Sequence, residues 1–198
     1  MKREKEHVNF EKELPAGYRE IYSLDAKDSK VGIFMNLAAL LISAVICLIG
    51  YFAIRPADFI GSYSMIRNIL FVVVCFGYIV LHELVHGAAY KLLTGQKLTF
   101  GVSLTVAYCG VPQIYVYRRA ALISLLAPFV VFSIAFLVPV FVFPNAWDKF
   151  YCLVLFALHF GGCAGDLFDT LLYLFRFRSP KILMNDTGPK QTFYSNED

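Results

Sequence analysis

Charge is scarce in this chain. Asp, Glu, Lys and Arg make up 17% of its 198 residues, and they gather at the ends and in connecting stretches. The net charge is only +3, and no basic run is interleaved with aromatics on a polar face, so nucleic-acid binding has no support. No two cysteines have CxxC spacing. Cys47, Cys75, Cys109, Cys152 and Cys163 stand apart, four of them inside apolar runs. They read as small buried hydrophobes, which argues against a disulfide framework or a thiolate zinc site. The first twenty residues lack an apolar core of the secretory kind, so the first hydrophobic segment is expected to direct insertion itself. Internal repeats and low-complexity segments are missing too.

What is there instead is apolar. Hydrophobic residues reach 58%, against about 45–50% in soluble domains, and mean hydropathy is +0.60. The length suits a single domain. Four apolar runs reach the roughly 20 residues that span a bilayer core: 32–54, 66–93, 120–143 and 150–175. The third holds Pro128 and Pro139, which are expected to kink it or free backbone carbonyls. The expected fold is an all-α membrane protein of four transmembrane helices with a small β-hairpin between the second and third. Residues 1–31 form a polar N-terminal arm, read as a solvated tail with at most a short helix or strand. Residues 32–175 form the membrane domain, and 176–198 a polar tail with a turn at 185–189. Lys and Arg concentrate in the arm, the middle loop and the tail, which places both termini on the cytoplasmic side of a cell membrane.

The middle loop is unusual. In KLTFGVSLTVAY, residues 97–108, apolar and polar positions alternate with period two, a strand signature. Residues 109–113 can turn and 114–117 can return, giving a hairpin over about 97–117 at the cytoplasmic rim.

Within the second run stands His82-Glu83-Leu84-Val85-His86, an HExxH. Residues four apart share a helical face, so His82 and His86 can offer their imidazoles to one metal ion, with Glu83 beside it as a base. Ionisable groups in a membrane span are costly, which makes a functional reading the default. Two histidines and a water leave a tetrahedral zinc one ligand short. Depth narrows the candidates on the last helix. His82 and His86 lie roughly 7–14 Å in from Lys91, Asp166 roughly 15 Å and Asp169 roughly 10 Å in from Arg176. His159, at about 25 Å, is too deep unless the helix is broken, and reads as a core histidine or a buried hydrogen-bond group. The small residues Gly161, Gly162, Cys163, Ala164 and Gly165 permit the close helix approach that a shared metal needs, which favours Asp166. Asp169, one turn on, is a candidate for orienting a ligand histidine.

These residues resemble a known family. HELVHG at 82–87, LeuAlaPro at 126–128, GlyCysAlaGlyAsp at 162–166, LeuProAlaGlyTyr at 14–18 and AspThrGly…PheTyr at 186–194 are similar to the zincin-type peptidases of the DUF3267 family, small bacterial membrane proteins. The layout is also similar to site-2 proteases, although their aspartate sits in an Asn-Pro-Asp-Gly or Leu-Asp-Gly setting and this one in GlyAspLeuPheAsp. The resemblance implies zinc held by His82, His86 and Asp166, with Glu83 as general base. The expected function is a zinc-dependent membrane endopeptidase acting near the cytoplasmic face, with lipid around it and a peptide or membrane protein as substrate. The rival is a catalytically silent metal-binding scaffold. A transporter is disfavoured, because the first helix offers only Asn36 and Ser43 and the third only Ser124 and Ser133 as polar groups.

Overall fold

The computed structural model describes residues 9–57, 64–103 and 106–197. Residues 1–8 of the polar arm, most of the stretch between the first two apolar runs, and residues 104–105 of the expected hairpin lie outside them. Helix α1 (Ser29–Ile54) starts where Asp28 accepts from the amides of Lys30 and Val31, and stops at Arg55, ahead of Pro56. Helix α2 (Met65–Thr94) is capped by Ser64 and ended by Gly95 at φ 67°, whose N–H returns to the Lys91 carbonyl. Helix α3 (Arg118–Val142) contains both prolines.

The fourth expected helix is broken. Helix α4 (Ala146–Gly162) and helix α5 (Ala164–Leu171) meet at Cys163 with a 48° bend, and a wider π-turn carries the chain on through Arg176. The run of small residues there gives the helix little side-chain packing to hold it straight. Among the described residues, three helices are long and apolar enough to cross a membrane, and a fourth if the bent pair counts as one span. Their outer faces carry bare apolar side chains such as Phe34, Leu41 and Phe76. The chain is therefore multi-pass.

Helix α4 packs on α1 and α3, and α3 on α2, while α1 and α2 barely meet. The α1–α4 contact is close because Gly161 faces α1: a Cβ there would overlap Ser43 Oγ and the Ala39 carbonyl. Ser43 Oγ lies 2.8 Å from the Ala39 carbonyl and 2.9 Å from that of Ala157, bridging the two helices.

The structure departs most from an all-α fold at the rim. Strands β1 (Phe10–Glu11), β2 (Arg19–Asp25), β5 (Tyr115–Tyr117), β6 (Leu183–Asp186) and β7 (Lys190–Ser195) form one antiparallel sheet in the order β1-β5-β6-β7-β2. The arm and tail are thus sheet rather than solvated ends. Leu183, Met184 and Phe193 are wholly buried there, and Met184 and Phe193 pack with Val116, Tyr90, Tyr173 and Phe177 over the helix ends. That burial is what makes these short half-polar segments worth ordering. The hairpin also differs. Strands β3 (Thr99–Val102) and β4 (Ala107–Gly110) pair with each other, and Tyr115–Tyr117 joins the large sheet instead. The alternating run folds back on itself, with the Ser103 amide donating to the Val106 carbonyl across the reversal.

Candidate metal centre

Helix α2 carries His82 and His86 one turn apart on its inner face, each 7% exposed. Their Nε2 atoms lie 3.2 Å apart. Asp166, in the first turn of α5, brings Oδ2 to 3.4 Å from His82 Nε2 and 3.3 Å from His86 Nε2. The three atoms make a nearly equilateral triangle. A tetrahedral zinc with corners about 2.0–2.1 Å away has edges of about 3.3–3.4 Å. The triangle matches one face of that tetrahedron.

The far side of each ring is anchored. His86 Nδ1 donates to the Ser124 carbonyl at 2.8 Å. In a regular helix that carbonyl would serve the amide of residue 128, but residue 128 is proline and has none. Because a carbonyl only accepts, the proton of neutral His86 sits on Nδ1, and Nε2 presents a bare lone pair. His82 Nδ1 lies 3.0 Å from Tyr78 Oη. A bare imidazole nitrogen and a carboxylate oxygen 3.3 Å apart repel unless a cation or proton lies between them. Two imidazoles, each tied down behind, and one carboxylate suit a catalytic zinc with its fourth position open.

Glu83 lines the same cavity, which holds about 350 Å³ and is walled by α1 (Met35, Asn36, Ala39), by β4 (Ala107, Tyr108, Cys109) and by the small residues near the α4–α5 break. Asp169 also faces the cavity. It is 2% exposed, and its Oδ1 has no hydrogen-bond partner among the described residues. The ring of His86 is held by a backbone carbonyl rather than by this carboxylate. His159 is fully buried and reaches Tyr78 Oη at 2.9 Å. His82, His159 and Cys163 are also close enough to share an ion, but Tyr78 Oη stands between the two rings.

Three contributors escaped the sequence reading: Tyr78, the Ser124 carbonyl and Asp186. Tyr78 was signalled by lying four residues before His82, and Ser124 by lying four before Pro128. Asp186 is 3% exposed at the β6–β7 turn and lines the cavity. Its carboxylate accepts from Tyr90 Oη at 2.6 Å, Gly188 N at 2.8 Å and Gln191 Nε2 at 3.3 Å. Burial pushes its carboxyl up to about 6, against the pull of those donors. Its carbonyl takes the Val111 amide at 2.8 Å. Asp186 thereby joins α2, the segment after β4 and its own turn.

The family model DUF3267, described as "Putative zincin peptidase", matches residues 75–181, more than half the chain. The chain belongs to this family. The match covers the histidine pair, Glu83 and Asp166, and membership of a zincin peptidase family makes zinc the cofactor. At the coarse level this is a metallopeptidase family. No curated protein and no solved structure matches the chain.

Proposed function

We propose that this DUF3267 member is a zinc-dependent integral-membrane endopeptidase that cuts peptide bonds near the cytoplasmic face, in the manner of site-2 proteases. The observation that carries the reading is the triangle of His82, His86 and Asp166 in a cavity that Glu83 shares. These three residues would hold zinc, which supplies a nucleophilic hydroxide at neutral pH and Lewis-acid polarisation of a carbonyl. Glu83 takes the proton of the attacking water and returns it to the leaving amine. It can do both because it follows a ligand on the helix without being one.

The walls suit an extended peptide. β4 pairs with β3 on one side and lines the cavity with residues 107–109, so its edge can take a substrate strand through main-chain hydrogen bonds. Met35, Ala39, Gly161 and Gly162 add apolar and small surface to its lining. The loose junction of α1 and α2 offers a way in from the bilayer. The concentration of Lys and Arg in the arm, the middle loop and the tail supports a cytoplasmic setting for this end of the bundle.

The test is metal content and cleavage on the same purified full-length protein. About one zinc per chain is expected in wild type and in Glu83→Gln, none in His86→Ala, and much less in Asp166→Ala. Cleavage of a reconstituted membrane-peptide substrate should vanish in Glu83→Gln. Cleavage that survives that substitution would defeat the enzyme reading and leave a metal-binding scaffold.

A further inference from the structure

The hydrogen bonds behind His82 do not stop at Tyr78. Tyr78 Oη lies 3.0 Å from His82 Nδ1 and 2.9 Å from His159 Nδ1. His159 Nε2 in turn lies 3.2 Å from the Phe129 carbonyl. The tyrosine ring has no freedom to swing away. It meets His82, His159, Phe132 and Phe136 edge-on, with centroids 5.1–5.6 Å apart.

The chain has a direction. The Phe129 carbonyl can only accept, so neutral His159 carries its proton on Nε2 and leaves Nδ1 bare. A bare Nδ1 takes the single proton of Tyr78 Oη. The phenol oxygen is then an acceptor toward His82, whose proton must sit on Nδ1. His82 Nε2 is left bare and points at Asp166 and His86. Ser133 Oγ, 3.3 Å from His159 Nε2, can accept or donate and leaves the choice to the carbonyl. Cys163 Sγ, 3.5 Å from His159 Nδ1, is at most a weak second donor to the same nitrogen.

From this geometry we infer that Tyr78 and His159 are positioning residues, a one-way relay from the Phe129 carbonyl that holds His82 in the tautomer a metal requires. The inference rests on the zinc reading of His82, His86 and Asp166. It gives α3 a function of its own. One carbonyl of α3 sets His86 directly, and a second sets His82 through two side chains. It also accounts for a histidine at a depth where an apolar residue would pack as well. A core histidine with no such role would alter stability when replaced and leave metal affinity alone.

The experiment is a zinc titration against a competing chelator on the detergent-solubilised full-length protein. It compares wild type, Tyr78→Phe, His159→Phe and the double variant, with His86→Ala as the metal-free control. Thermal midpoints of the zinc-free proteins are followed alongside. Tyr78→Phe deletes one hydroxyl and keeps the ring, so it tests the relay even if His159→Phe folds poorly. Each single variant should bind zinc about 10–100-fold more weakly. The double variant should bind no more weakly than the worse single, because the two act in one chain. Wild-type affinity in Tyr78→Phe, with zinc still lost in His86→Ala, would overturn the relay and leave the zinc site standing. Losses that multiply in the double variant would overturn the single chain as well. A wild type that takes up no zinc would remove the site and the relay together.

Discussion

Pro128 does two opposite things at once. It weakens α3 by withholding an amide, and it releases the Ser124 carbonyl that holds His86. Pro128→Ala should therefore raise thermal stability while loosening zinc by about 10-fold, because the new amide competes for the carbonyl and straightens the turn. Pro139→Ala, in the same helix, should leave affinity unchanged. Chelator competition and a melt in detergent measure the two effects separately. At this scale, the shared face of His82 and His86 was legible from spacing alone, since residues four apart meet on a helix. The approach of Asp166 to both rings was legible from depth and from its small neighbours. The anchors behind the rings were not. A backbone carbonyl has no residue type to announce it, and a tyrosine in an apolar run looks like core.

At the scale of elements, the α1–α4 contact decides where α5 begins and so where Asp166 points. Gly161→Ala places a Cβ against Ser43 Oγ and the Ala39 carbonyl, both on α1. Overpacking of this kind costs about 1–3 kcal/mol. A lower thermal midpoint and weaker zinc binding are expected together. Gly165→Ala meets nothing within 4 Å and should be neutral in stability. The long helices were readable, because an uninterrupted apolar run has few alternatives. The 97–108 run was readable as strand but not as two paired strands, since alternation reads the same along β3 and β4. The large sheet could not be read locally. β2 finds its partner β7 across almost the whole chain, a pairing that no local pattern announces.

For the whole molecule, Asp186 makes stability depend on pH in an uncommon direction. Its folded carboxyl titrates at about 6, above the roughly 3.9 of an unfolded aspartate. Below pH 4 both states hold the proton, and the contribution is fully present. As pH rises from 4 to 6 the unfolded chain releases the proton first, so the contribution is lost. Above about pH 7 both states are ionised and nothing more changes. Melts from pH 4 to 7 should show this slope in wild type and a flatter one in Asp186→Asn. The same residue makes the tail indispensable. A chain ending at Phe177 loses β6, β7 and the acceptor of Tyr90, and should fail to give a monodisperse protein in detergent.

The single sheet also fixes an arithmetic of crossings. β2 precedes α1, β5 lies between α2 and α3, and β6 and β7 follow α5, yet all belong to one sheet. A sheet cannot lie on both faces of a bilayer, so the chain must cross an even number of times between any two of its strands. Helices α1 and α2 supply one pair of crossings. Helix α3 needs a partner, so α4 and α5 must traverse the bilayer together despite the bend at Cys163. Parity then keeps β1 and β7 on one side of the bilayer, together with Asp186 at the wall of the metal cavity. Reporters fused at either end must agree, and a span added or removed singly would tear the sheet in two.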